Sequence, residues 1–165
     1  MAAEPRPEHP ERQFLRHTLA TVAYRGGKAL RGAPEGFSSF RAGESSRTAG
    51  EILAHVGDLY DWMADLLEGR HVWKNATVRT WEEDAARFFE GLRRVDGVLA
   101  SDAPLGFPVE RLFQGPVADS LTHIGQIAML RRLAGSPVKG ENYFKAEIRA
   151  GEVGPEQAPA RVEFD

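Results

Sequence analysis

The amino-acid sequence predicts an all-α fold, a four-helix bundle with an irregular C-terminal tail packed on it. Four segments of roughly 20 residues place apolar side chains at spacings of three and four, which is the period of an amphipathic helix. Glycine- and proline-rich stretches separate these segments, and no stretch of note alternates apolar and polar residues as a half-buried strand does. Helices of this size are about 30 Å long, which is typical of four-helix bundles.

The composition indicates one globular domain. The chain has 165 residues, of which 42% are apolar and 27% are charged, and this is enough to bury a substantial core. We expect no nucleic acid and no membrane as partners, because the net charge of −3 includes no basic stripe and no apolar run reaches about 18 residues. The lack of cysteine excludes disulfides, zinc–thiolate sites and a cysteine nucleophile, and it favours a cytoplasmic location.

Three regions are predicted along the chain. Residues 1–10 are polar and proline-rich, which indicates a flexible arm rather than a signal peptide. Residues 11–135 form the predicted bundle, and residues 136–165 form a C-terminal extension packed on it. The first helix is predicted from Glu11 to about Arg31. Its apolar face consists of Leu15, Leu19, Val22, Ala23, Gly26 and Leu30.

Two capping boxes predict where the second and third helices begin. Thr48 with Glu51, and Thr80 with Glu83, have the spacing at which a hydroxyl and a carboxylate satisfy the free N–H groups of a first turn. The second helix is predicted to end at Gly69. Its apolar stripe consists of Ile52, Leu53, Val56, Leu59, Tyr60, Met63, Leu66 and Leu67. The third helix is predicted to bury Ala85, Phe88, Phe89, Leu92, Val95 and Leu99.

The fourth helix is predicted to begin between Val109 and Pro116, since either Pro108 or Pro116 suits a first helical turn. It is predicted to run to Leu133 and to stop at Gly135. Apolar residues lie on almost every side of it. We therefore expect it to be the most buried of the four helices.

Three side chains are candidates for a metal site. Asp119 and His123 are four residues apart on the fourth helix and project from the same side, while His55 lies at the edge of the apolar stripe of the second helix. Bundles build metal sites from such residues on facing helices, and imidazole and carboxylate together suit Zn, Ni, Fe or Mn. Three protein ligands leave coordination positions for water or substrate. The same residues also fit a local ion pair between Asp119 and His123 beside a partly exposed His55.

Two motifs resemble one protein family. The stretch HIGQIAMLRRLAG, from His123 to Gly135, is similar to the H-x-G-Q…LR…G ending of the last helix in the DinB/YfiT-like superfamily. The stretch TAGEILAH, from Thr48 to His55, resembles the second-helix segment that supplies the first histidine of that family. The likeness covers about residues 11–135.

The resemblance implies a homodimeric bundle that holds a divalent metal with three histidines, one on the second helix and two on the last. His55 and His123 match two of these positions, and Asp119 departs from the third. A carboxylate still provides a ligand, so the set suits Fe(II) or Zn, although the same departure also fits a weakened or lost site. Gln126 is expected to hydrogen-bond a ligand, and Gly125 to permit close helix packing.

The resemblance further implies an enzyme, an S-transferase or isomerase in which the metal activates a low-molecular-weight thiol toward a small-molecule substrate. A hydrolase that activates water would use the same three ligands. The alternative is a non-enzymatic, stress-associated dimeric bundle with a degenerate or absent metal site.

The sequence also predicts the environment of several other residues. Trp62 lies off the apolar stripe of its helix, so it is a candidate for a dimer interface. Three further histidines, His9, His17 and His71, are expected to be solvated. Arg131 and Arg132 are explained by the helix dipole alone.

The C-terminal tail is expected to lie near the mouth of the site and to restrict access to it. Tyr143, Phe144, Ile148 and Phe164 are spaced to dock it on the bundle. The segment 141–143 is either a lid that offers a fourth ligand or a plain surface turn.

Overall fold

The computed structural model describes residues 9–164. Most of the predicted N-terminal arm, residues 1–8, lies outside the described residues, as does residue 165. Helix α1 covers Pro10–Leu30, α2 covers Ala49–Leu67 and α3 covers Trp81–Ala100. Helix α4 covers residues 109–133 in three consecutive segments, α-helical Val109–Leu112, π-helical Phe113–Val117 and α-helical Ala118–Leu133. Strands β1 (Gly140–Glu141) and β2 (Glu163–Phe164) form a small antiparallel pair, and two single 3₁₀ turns occur at Phe37–Ser39 and Tyr143–Lys145.

The predicted all-α fold is confirmed. The four helices pack in the cyclic order α1, α3, α2, α4, so that each one contacts two neighbours. Their apolar stripes meet in one core, in which nearly all of the residues predicted for the first three helices are buried. Within residues 9–164, no helix is long and apolar enough to cross a membrane.

Both predicted capping boxes are present. The hydroxyl of Thr48 accepts a hydrogen bond from the backbone N–H of Glu51, and the Glu51 carboxylate accepts one from the N–H of Thr48 at 2.7 Å. Thr80 and Glu83 make the same reciprocal pair at the start of α3. Helix α2 ends two residues before Gly69, whose φ of 82° is the left-handed conformation that a helix stop requires. The predicted helix boundaries therefore follow from local hydrogen bonding.

The expected burial of the fourth helix is wrong. Helix α4 packs against α1 and α2 with one side only, while Met129 and Leu133 are 58% and 57% exposed. A charged residue, Arg131, is buried on the packed side instead. The helix begins at Val109, and Pro116 lies within its π-helical segment rather than in the first turn.

Close helix packing depends on Gly26 rather than on Gly125. A Cβ atom at Gly26 would lie 2.8 Å from the ring of Phe88 and 3.2 Å from Ile124, so α1 can approach α3 and α4 here only without a side chain. A Cβ atom at Gly125 would meet nothing within 4 Å. The role expected for Gly125 is therefore wrong.

The C-terminal tail packs against α1. The buried carboxylate of Glu141 accepts hydrogen bonds from the Tyr24 hydroxyl at 2.5 Å and from the Lys28 ammonium at 2.7 Å. The ring of Tyr143 lies 4.0 Å from the Arg25 guanidinium. Phe144, which was expected to dock, is 95% exposed. Ile148 packs against the core as predicted, and Val153 is buried in it, so apolar packing and polar contacts to α1 both attach the tail.

Arg131 joins the end of α4 to the end of α1. Its guanidinium is buried and donates hydrogen bonds to the carbonyl oxygens of Ala29 and Arg31, at 3.0 and 2.8 Å, and to the carbonyl and hydroxyl of Ser136. The carbonyls at the end of α1 have no partners within their own helix. Arg131 supplies those partners, so the helix dipole alone does not explain it. Its neighbour Arg132 is exposed.

We predict that Arg131→Met lowers the free energy of unfolding by about 2–4 kcal/mol, because it leaves buried carbonyl groups without hydrogen bonds. The matched control Arg132→Met should change it by less than about 0.5 kcal/mol. Urea denaturation of both variants measures the two effects. Equal effects at the two positions would contradict the interhelical role of Arg131.

Candidate metal centre

The structure brings the three predicted ligands together. His55 projects from α2, while Asp119 and His123 project from α4, and one donor atom from each lies within 4.8 Å of the others. The Asp119 Oδ2 atom is 3.6 Å from His55 Nε2 and 3.5 Å from His123 Nε2. The two imidazole rings are 4.7 Å apart and nearly perpendicular. Two nitrogen donors and one carboxylate therefore converge between the helices.

The Asp119 carboxylate lies within ion-pair distance of both imidazoles but beyond the usual hydrogen-bond length. Distances of 3.5 and 3.6 Å exceed the usual 2.7–3.2 Å range of such bonds. Ligand atoms bound at about 2.0–2.2 Å to one tetrahedral ion lie roughly 3.3–3.6 Å from each other. Both Asp119–histidine distances fall in this range, and the donor atoms of all three residues lie within 4.8 Å of one another, so the group could hold a divalent transition metal.

A buried hydrogen bond links the two helices that carry the site. The Ser120 hydroxyl donates to the carbonyl of Val117 at 2.8 Å, so the Tyr60 hydroxyl is the donor in its 2.7 Å bond to Ser120. Both side chains are fully buried. Because Ser120 directly follows Asp119, this bond ties the backbone beside Asp119 to α2.

Gln126 orients His123, as the sequence predicts. The side-chain oxygen of Gln126 lies 2.7 Å from His123 Nδ1. With this oxygen as acceptor, Nδ1 carries the proton and the lone pair of Nε2 faces Asp119. Metal-ligating histidines are commonly fixed in this way through their second ring nitrogen.

The surroundings of His55 favour its neutral form. The side chain is 19% exposed and packs 5.4 Å from the ring of Trp73. Burial lowers the pKa of His55, the nearby His123 and Arg47 lower it further, and the Asp119 carboxylate opposes them. A neutral imidazole has the lone pair that a metal requires.

The loop between α2 and α3 covers one side of the site, which the sequence analysis did not predict. Trp62 stacks on His71 at 5.5 Å and meets Trp73 edge-on at 5.6 Å. Trp62 therefore packs against the loop of its own chain while it stays partly exposed, and its place at a dimer interface stays a prediction. His71 is exposed, as predicted, and stacks on Trp62. Trp73 lies in a loop, where side chains follow no regular spacing. Its position beside His55 was therefore not predictable from the sequence.

Some of the remaining expectations are confirmed and others are wrong. His9 and His17 are exposed, as predicted. The tail does not lie over the site, because the cavity beside His55 and His123 is lined only by residues between 42 and 55 and between 123 and 133. Both carboxylate oxygens of Glu141 bond to α1, so Glu141 is no fourth ligand. The lid and fourth-ligand expectations are therefore wrong.

Comparisons of the chain with protein-family models, with curated proteins and with solved structures give no match. Function is therefore inferred from the side chains themselves. The strongest chemical feature in residues 9–164 is the group formed by His55, Asp119 and His123.

We predict that two substitutions shift the pKa of His55 in opposite directions in the metal-free protein. Asp119→Asn removes the charge that favours the imidazolium and should lower the pKa, whereas Arg47→Gln removes an opposing charge and should raise it. Arg41→Gln, in the same loop, is the control. An NMR titration of the His55 ring, assigned with His55→Gln, measures all three.

The direction of the shift also predicts a pH dependence of stability. The pKa of His55 in the folded protein lies below its ordinary value of 6.5, so the unfolded chain binds more protons between these two values. The contribution of His55 to the free energy of unfolding should therefore fall as the pH falls through 6.5. In the NMR titrations, pKa shifts of His55 that have the same sign in Asp119→Asn and Arg47→Gln would contradict this electrostatic account.

Proposed function

We propose that the chain binds a divalent metal through His55, Asp119 and His123 and acts as a metal-dependent enzyme on a small molecule. One observation carries the proposal, namely a carboxylate oxygen that lies 3.5 and 3.6 Å from two imidazole nitrogens on facing helices. The donor types suit Zn, Ni, Fe or Mn. The TAGEILAH and HIGQ motifs support placement in the DinB/YfiT-like superfamily, with the four helices as a bundle of that type.

The side chains around the site have separate tasks in this proposal. Gln126 holds His123 in one orientation, and burial beside Trp73 keeps His55 neutral. The side chain of Asp119 is 47% exposed, so the site is open to solvent on this side. A metal bound here supplies acidity that lowers the pKa of a thiol or water ligand at neutral pH. The resemblance to the DinB/YfiT-like superfamily extends this proposal to an activity of the S-transferase or isomerase type, and a hydrolase would use the same ligands. We propose that the activity operates in the cytoplasm.

A non-enzymatic bundle is the second candidate. Asp119 and His123 are four residues apart on one helix, which is also the spacing of an ordinary surface ion pair. In this candidate the three side chains form only a local electrostatic contact. Metal binding separates the two candidates.

We predict that the protein, purified without a histidine tag, binds one equivalent of Zn²⁺ or Ni²⁺ in calorimetric titrations. His55→Ala, Asp119→Ala and His123→Ala should each weaken binding by more than the roughly 10–100-fold that the loss of a supporting group causes. Asp119→His should retain binding and shift preference from Mn²⁺ toward Ni²⁺ and Zn²⁺, because it adds a softer ligand. His17→Ala replaces an exposed histidine and is the control.

One result of these titrations would contradict the proposed metal site. Equal, negligible heats for the wild type and every variant would favour the non-enzymatic bundle. For a protein that does bind metal, assays with a chromogenic ester and with a thiol plus an aryl halide compare hydrolysis with thiol transfer. Turnover that is lost in His55→Ala and kept in His17→Ala would support the enzymatic proposal.

A further inference from the structure

An apolar cavity adjoins the candidate metal centre. Its volume is about 510 Å³, which lies within the range of about 300–1,000 Å³ typical of small-molecule sites. His55 and His123 form part of its wall, and Ile52, Leu130 and Leu133 supply apolar wall surface. A molecule in this cavity would therefore contact the two candidate histidine ligands and a hydrophobic surface.

The apolar wall continues the helix face that carries the donor atoms. His123, Gln126, Leu130 and Leu133 follow one another at spacings of three, four and three, so they project from the same side of α4. Leu133 is 57% exposed although it lines a concave surface. Large apolar side chains left open to solvent at a cavity commonly mark a binding site.

Arg47 adds a positive charge to the same cavity. It is exposed and lines the cavity together with His55 and His123. Within residues 9–164, no carboxylate forms an ion pair with its guanidinium. Arg16 and Arg87, by contrast, are paired with aspartates. The guanidinium of Arg47 is thus available to an anion.

We propose that the substrate is a small organic anion with an apolar body. Its anionic group, a carboxylate, sulfonate or phosphate, pairs with Arg47, and its apolar ring or chain lies against Ile52 and Leu133. The reacting atom then lies at the end of the cavity formed by the two histidines. The proposal rests on the proposed function, because that function identifies the reacting end of the cavity.

Two fluorescent probes that differ only in charge test this proposal on the full, metal-free chain. Anilinonaphthalene sulfonate carries an anionic group, and phenylnaphthylamine has the same ring system without it. Arg47→Gln should weaken binding of the sulfonate about five- to tenfold and change binding of the neutral probe less than about twofold. Leu133→Asp should weaken binding of both probes.

Matched variants show whether the probes bind this cavity. Arg41→Gln removes an exposed arginine of the same loop that does not line the cavity, and Phe14→Gln removes an apolar side chain that is 69% exposed on α1. Neither should change binding of either probe. Loss of binding in Phe14→Gln but not in Leu133→Asp would overturn the proposal, as would equal effects of Arg47→Gln on the two probes.

The outcome is separate from that of the metal titrations. Probe binding that depends on Arg47 and Leu133, in a protein that takes up no metal, would contradict the proposed function and support the anion site. Metal uptake without any effect of Arg47→Gln on the sulfonate would contradict the anion site alone.

Discussion

The buried hydrogen bond between Tyr60 and Ser120 is the contact on which the site depends. It joins α2 to α4 at 2.7 Å inside the core, where the lack of water makes an unpaired hydroxyl costly. It therefore favours one register between the two helices. In that register His55 faces Asp119 and His123, and the donor atoms meet without contributing to the apolar core themselves. The core thus determines the geometry, and the exposed edge of the α2–α4 interface holds the chemistry.

Helix α4 has two faces with different tasks. The face toward α1 and α2 buries Ile124 and Ile127 together with the guanidinium of Arg131. The other side carries the candidate ligands and continues as the apolar wall of the cavity, with Leu133 exposed. Apolar residues on all sides of the helix are therefore not a sign of complete burial here. They belong partly to the core and partly to a concave surface, which we assign to a ligand.

The parts of the fold that local interactions determine were predictable from the sequence. Capping boxes such as the Thr48–Glu51 pair mark helix starts because both partners lie within one turn, and the spacing of Asp119 and His123 places them on one helix face whatever the tertiary fold. Non-local contacts were not predictable. The partners of Arg131 are about a hundred residues away, and the tail docks on α1 because Glu141 finds Tyr24 and Lys28 there. No local pattern encodes either pairing.

The most direct test of the account is a crystal structure of the zinc-loaded protein with anomalous diffraction data at the zinc edge. The account predicts one strong anomalous peak between α2 and α4, about 2.0–2.2 Å from Nε2 of His55, Nε2 of His123 and a carboxylate oxygen of Asp119. The Tyr60–Ser120 bond should be unchanged. An anomalous peak only at exposed surface histidines, such as His17, would contradict the account. So would the absence of a peak between these helices when the protein is saturated with zinc in solution.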